Sequence, residues 1–265
     1  MADERAVWLY CVAAAGAPLP EGLPGVHAPD PVRRTEHAGL AALVSEVPLS
    51  EYGEEPLRRN LNDLAWLERV ARSHAVVLET ALEGTTIVPV RLCTIFDDDE
   101  GARRMLADEH AALAGALDTL AGRTEWSVKV VVDRAALRQA AGGSDPGAAD
   151  ASAVGSGTAY LLRRRQEREL RELADGIARD VADDVHANVG ALAQAAVRNA
   201  PQNRELSHHE GDMLLNGSYL VETADLERLR ALVAELQDRH GTTGARVELT
   251  GPFPPYNFVA QPAGA

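Results

Sequence analysis

Four groups of residues in this 265-residue sequence have the types and spacing to do chemistry. His208-His209-Glu210-x-Asp212 offers two imidazoles and two carboxylates, a donor set that suits a divalent ion and a metal-dependent hydrolase. Neighbouring strand residues point to opposite faces, though, and the spacing of two His one helical turn apart around a Glu is absent. A solvated turn accounts for the run better. Asp97-Asp98-Asp99-Glu100 carries four carboxylates without the alternating oxygens or the glycine of a calcium loop. Acids there fit the first turn of a helix, with an Asp cap and a Glu three residues on. His74, near Arg72, lies on an apolar stripe with no nucleophile to serve, and reads as a hydrogen-bonded core histidine. Arg163-Arg164-Arg165, Arg168 and Arg171 interleave with Glu167 and Glu169, the pattern of a solvated helix face rather than a phosphate site. No phosphate-binding glycine loop, nucleophile elbow or dinucleotide fingerprint occurs. The expectation is a protein that is not an enzyme, with no catalytic residues, no cofactor and no metal.

The elements that would carry these groups fall into two sets. In the first, Ala6–Val12 is a strand, and five prolines between 16 and 31 make a loop. Leu40–Val47 is a second strand stopped by Pro48. Leu64, Leu67, Ala71, His74, Leu78 and Leu82 share one helical face between about 60 and 82. Thr85–Leu92 is a strand that Pro89 confines to a sheet edge or a strand end, and a helix follows from Asp97 to the Gly122 stop. This β-β-α-β-α order is too short of strands for a doubly wound nucleotide-binding fold.

The second set reads as a βαββαβ pattern, the split βαβ arrangement of a ferredoxin-like domain. Its strands are Trp126–Asp133, Arg204–Ser207, Met213–Val221 and Ala245–Thr250. Its helices run from Tyr160 to Arg198 and from Thr223 to His240. The first of these would be a rod of roughly 58 Å, longer than the roughly 37 Å of a compact domain of this size. It must break, at Gly176 or at Asn188-Val189-Gly190, or project. Residues 141–158 are Gly/Ala/Ser-rich, too polar to order themselves, and removable without loss of the fold. The fold class expected is α+β with two domains, 1–123 and 124–265, the second including the 141–158 loop and a tail over 251–265.

Composition narrows the function. Against 26 basic residues stand 40 acidic ones, a net charge of −14, which disfavours nucleic acid as a partner. No apolar run approaches the roughly 20 residues of a membrane span. Met1-Ala2-Asp3-Glu4-Arg5 is acidic and followed by only a short apolar run, so a cytoplasmic location is expected. Cys11 and Cys93 lie 82 positions apart inside apolar runs and read as free thiols.

One segment stands out from this background. Thr250-Gly-Pro-Phe-Pro-Pro-Tyr-Asn-Phe258 packs three prolines and three aromatics directly behind a strand. Prolines pre-set an extended path and aromatics offer large apolar area. Pro252, Phe253, Pro254, Pro255, Tyr256 and Phe258 are therefore candidates for a clasp on the protein's own body or for a partner contact. The cost of exposed aromatics favours the clasp, with Phe253, Tyr256 and Phe258 at least partly packed.

This tail resembles the C-terminal signature of the gas vesicle protein F/L family. Other blocks agree in the same order: Trp8–Val12, Leu40–Val47, Asp63-Leu-Ala-Trp66-Leu67 with His74 and Val77-Leu78, Val88–Phe96, and Leu214–Val221. Only 13–38 and 139–160 lie outside the resemblance. Cys93 stands where many members have Gly, and Phe253 where many have Trp. The resemblance implies a two-domain α+β accessory protein of gas vesicle assembly, with a ferredoxin-like C-terminal domain. It also implies vesicle association and contact with the small hydrophobic shell-forming subunit and other accessory proteins. F-type and L-type roles both stay open. Two other readings compete with it: a ferredoxin-like module that senses a small ligand, and a hydrolase using His208, His209 and Asp212. A pocket with convergent polar groups would favour the former, and bound metal the latter.

Overall fold

The computed structural model describes residues 4–142, 157–200 and 211–260. The chain divides into two compact units, Met1–Thr124 with Phe253–Ala265, and Glu125–Pro252. The tail therefore clusters with the first unit, although the strand that leads into it belongs to the second.

In the first unit, β1 (Arg5–Ala14) lies between β3 (Leu40–Pro48) and β4 (Val88–Pro89), and β2 (Arg33–His37) lies outside β3. A two-residue strand, β5 (Ile95–Phe96), also pairs with β1. Every residue of β1 from Ala6 to Ala13 is buried, because helices cover both faces of the sheet. That explains a continuous apolar run where a half-exposed strand would alternate. β2 was not visible as a strand: Arg-Arg-Thr-Glu-His has no apolar face, and it pairs as an edge through the Ala38-Gly39 turn, φ 50° and 85°.

The helix expected over 60–82 is α3 (Leu64–Gly84), and two short helices precede it, α1 (Leu49–Tyr52) and α2 (Glu54–Asn60). Asp63 starts α3 by accepting from the amides of Ala65 and Trp66 at 3.0 and 3.2 Å. Of the strand expected over 85–92, only β4 is regular, and it sits at the sheet edge where Pro89 needs no ladder partner. The helix expected from Asp97 is two, α4 (Asp99–Asp108) and α5 (His110–Leu120), separated at Glu109.

The second unit contains β6 (Arg123–Val132), α6 (Arg134–Ala140), α7 (Gly157–Leu192), β7 (Ala195–Arg198), β8 (Asp212–Glu222), α8 (Leu226–His240) and β9 (Ala245–Phe253). Its sheet order is β7-β8-β6-β9, with β7 antiparallel to β8. The strand expected at Arg204–Ser207 lies outside the described residues, as does 143–156 of the polar loop. α7 stops at Leu192, six residues early, because Ala195–Arg198 pairs with Gly217–Leu220 of β8 instead. It does not break. Gly176 sits inside it with open space around its Cα, and Ala174, Ala178, Val181, Val185 and Val189 pack into the core. The helix runs past that core instead, leaving Tyr160 to Glu169 exposed at every position.

Candidate functional site

The tail and His74, distant in sequence, meet. After β9 the chain continues through Pro254, half-buried, and Pro255, buried, into a short 3-10 turn over Tyr256–Phe258. Phe258 is half-buried, whereas Phe253 and Pro252 are exposed. Tyr256 shows an exposed ring edge, but its hydroxyl reaches inward to His74 Nε2 at 3.2 Å and to the Val90 carbonyl at 3.1 Å. On the other side of the imidazole, Trp8 Nε1 donates to His74 Nδ1 at 3.1 Å.

These contacts assign the protons. An indole N–H only donates, so His74 Nδ1 accepts. The ring proton of the neutral imidazole is then on Nε2, which donates to the Tyr256 oxygen, and the Tyr256 hydroxyl donates to Val90 O. Burial pushes His74 down to about 4, against the opposing pull of the Val90 carbonyl, so the ring is neutral at pH 7. Burial pushes the Tyr256 hydroxyl up, so it too keeps its proton. Each side chain in the chain Trp8–His74–Tyr256 is satisfied and uncharged. The arrangement positions a segment; it brings no nucleophile to the base.

A second polar thread runs beside it. Tyr10 stacks on His74 with ring centroids 5.2 Å apart, and its hydroxyl lies 2.8 Å from Ser45 Oγ and accepts from the Val26 amide at 2.8 Å. Tyr52 donates to the Val26 carbonyl at 3.1 Å, so two tyrosines pin the proline-rich loop. Gly25 is required here, because a Cβ would stand 2.6 Å from Ser45 Oγ. Glu51 accepts from Trp66 Nε1 at 2.6 Å and from Arg69 at 3.1 Å. Burial works against its charge, yet those two partners hold its carboxyl below the usual range. Sequence reasoning singled out His74 and, separately, Tyr256 in the tail, but not Trp8, Tyr10, Tyr52 or Glu51. Those others left one trace, the spacing of Trp8 and Tyr10 on one face of a strand.

The other chemical candidates separate. His208, His209 and Glu210 lie outside the described residues, and the Asp212 carboxylate accepts from Arg134, which also pairs with Asp175 at 3.4 Å. Among the described residues no group of three or more His, Cys, Asp or Glu is placed to hold a metal. Asp98 caps α4 through the Gly101 amide at 2.8 Å, and Asp99 pairs with Arg33 at 2.8 Å, so the acidic run serves a helix start. Arg163, Arg165 and Arg168 pair along α7 with Glu167, Glu169 and Glu172. A groove of about 400 Å³ borders α6, α7 and β8, with Leu137, Ala178 and Leu214 among its walls. Its charged rim residues Arg134 and Asp175 bond each other, and Arg179 bonds the Asp175 carbonyl, rather than converging on the space. Cys11 is buried and its thiol is pushed up to about 12, and Cys93 is half-buried. No helix among the described residues is long and apolar enough to cross a membrane.

Comparison with known proteins decides what this architecture belongs to. The family model of the gas vesicle synthesis protein GvpL/GvpF matches residues 6–260. The chain belongs to the GvpL/GvpF family. It is 36% identical over 264 residues to gas vesicle protein L of Streptomyces sp. (strain CB03234), covering 98% of this chain and 94% of that protein. Gas vesicle protein F of the same strain is 29% identical over 259 residues, covering 95% and 98%. In fold, the crystal structure of the gas vesicle protein GvpF from Anabaena sp. PCC7120 superposes with a TM-score of 0.67 at 20% identity, covering 98% of this chain and 99% of that one. The mixed α and β architecture is thus that of a GvpF crystal structure, and the chain is a gas vesicle accessory protein by family. The family match extends through the tail segment, whose Tyr256 hydroxyl bonds His74.

Proposed function

We propose that this GvpL/GvpF family member is a non-enzymatic assembly factor that binds the hydrophobic shell-forming subunit and other accessory proteins of the gas vesicle, in the cytoplasm and on the vesicle. The observation that carries this reading is the family match over residues 6–260. The higher identity to protein L than to protein F of one strain, 36% against 29%, favours the L-type role. The order β7-β8-β6-β9, with α7 and α8 as the two crossovers, supports reading the second unit as ferredoxin-like. In the first unit, Pro255 and Tyr256 act as an intramolecular clasp, a role supported by the hydroxyl contacts to His74 and Val90. The excess of acids keeps the factor soluble while it handles an aggregation-prone shell protein.

Deleting the gene in its host and floating the cells tests the role. Loss of buoyant vesicles, with capture of the shell subunit by the tagged protein, is expected. Normal vesicles together with no capture would end the proposal.

A further inference from the structure

We propose that the exposed N-terminal half of α7 is a self-association surface, on which the helices of two copies pair antiparallel. Ten consecutive residues, Tyr160 to Glu169, are exposed in the single chain. Leu161, Leu162 and Leu173 are 67%, 57% and 57% exposed. A solvated helical segment of this length is marginal by itself, and aliphatic side chains on it add nothing unless they are covered.

The spacing states what covers Leu162 and Leu173, while Leu161 lies about 100° round the helix and stays outside the seam. Leu162 and Leu173 stand 11 residues apart, which is three turns plus about 20°, or roughly 16 Å along one face. Gln166 and Glu169 lie between them on that face. If a second copy runs antiparallel about a two-fold axis between Glu167 and Arg168, Leu162 meets Leu173 of the second copy at each end. Gln166 then meets Glu169, an amide donor against a carboxylate acceptor.

The charges beside the seam agree. Arg165 and Glu172 share one flank; Arg165 pairs with Glu169 of its own helix at 2.8 Å and Glu172 with Arg168 at 3.0 Å, and in the pair Arg165 of each copy also comes beside Glu169 and Glu172 of the other. On the opposite flank the stem of Arg163 lies along Leu170. Two arginines and two glutamates balance within the seam of each copy, while Arg164, Glu167, Arg168 and Arg171 stand outside it, Glu167 and Arg168 reaching its edge through their ion pairs with Arg163 and Glu172. A parallel in-register pairing would also set leucine on leucine, but it would bring Arg165 beside Arg163 of the second copy, so charge selects the antiparallel one. Such a seam is smaller than the roughly 800 Å² per partner of a stable dimer, so the association depends on concentration.

Sedimentation velocity on the full chain, from low to high micromolar concentration, tests this. The mass should climb from the 28.3 kDa monomer towards twice that value. Leu162→Glu with Leu173→Glu should hold it at the monomer with an unchanged circular dichroism spectrum. Arg165→Glu should weaken the association at least tenfold, and adding Glu169→Arg and Glu172→Arg in the same chain should restore it. Under oxidation, Leu162→Cys with Leu173→Cys should give a covalent dimer and Leu162→Cys alone should not. A mass independent of concentration would overturn the proposal, as would efficient cross-linking by Leu162→Cys alone.

Discussion

The two units bury their cores in different chemical terms. In the first, the interior carries Trp8, Tyr10, Tyr52 and Trp66 around His74, and each has its polar atom hydrogen-bonded: Trp8 to His74, Tyr10 to Ser45 and Val26, Tyr52 to Val26, and Trp66 to Glu51. The second is built from Val, Ala and Leu, with Trp126 and Tyr219 as its aromatic members. Each unit nevertheless holds a hydrogen-bonded histidine–tyrosine pair. His74 is 3% exposed, and both ring nitrogens are engaged. His186 is half-buried, and its Nδ1 lies 2.8 Å from the Tyr219 hydroxyl. An aliphatic core tolerates small losses by repacking, whereas a buried polar network fails when one member is left unsatisfied. The first unit should therefore answer more sharply to pH and to single-atom changes than the second.

The largest effect concerns pH. His74 titrates at about 4 in the folded protein against 6.5 in the unfolded chain. Its depressed pKa means that the unfolded state takes up the proton first as pH falls. Stability from this group is complete above about pH 6.5 and is lost progressively down to about pH 4, a total of about 3 kcal/mol. Glu51 and Asp184, whose carboxyls are held low, lose stability over acid pH as well, but equally in a His74 variant. Urea unfolding of wild type and His74→Gln near pH 7 and near pH 4.5 separates the two contributions. The wild type should lose about 2 kcal/mol more than the variant across that interval, and parallel losses would remove His74 as the cause.

Tyr256→Phe comes next. It leaves the His74 Nε2–H and the Val90 carbonyl without the hydroxyl that joins them, at a cost of about 2 kcal/mol. The expected result is a lower urea midpoint for the first unit at neutral pH, with the second unit's transition unmoved. A midpoint unchanged within error would mean that the tail does not clasp the body. In the second unit the counterpart is Tyr219→Phe, where the lost bond goes to a half-buried imidazole that water can reach. About 1 kcal/mol is expected. If it costs as much as Tyr256→Phe, the contrast between the two cores fails.

Much of this organisation could be read from residue order, and the parts that could not share a cause. Helix and strand signals are plain where one helical face is apolar, as in α3 and α8, and where a short run is apolar throughout, as in β1. β2 escaped because an edge strand of Arg-Arg-Thr-Glu-His is specified by its hairpin turn and its partner rather than by its own pattern. Helical periodicity in α7 ran on into Ala195–Arg198, since a short alternating segment fits either period until β8 supplies a partner. The hairpin brings β7 to the strand position expected nearer Arg204. At the site, the tail's composition marked it as a docking segment, but no spacing links position 256 to position 74. That contact is purely tertiary. Choosing between clasp and partner surface likewise depends on where a hydroxyl points, which no sequence pattern encodes.

The smallest effect tests how each unit builds its turns. In the second unit every described residue with positive φ is glycine: Gly142, Gly211, Gly244 and Gly251. The first unit also places Ala38 and Cys93 there, at φ 50° and 67°. A side chain in the left-handed region costs roughly 1–2 kcal/mol. Cys93→Gly relieves that strain but returns roughly 0.4–1 kcal/mol of entropy to the unfolded chain, and it removes the packing of a half-buried thiol. The balance should be a stabilisation of about 0.5 kcal/mol, read as a small upward shift of the first unit's urea midpoint. Gly244→Ala should move the second unit the other way, since its Cβ would meet that of Ala136 at 2.4 Å. A destabilised Cys93→Gly would show that the thiol's contacts outweigh the backbone strain, and that the first unit keeps this residue for its packing.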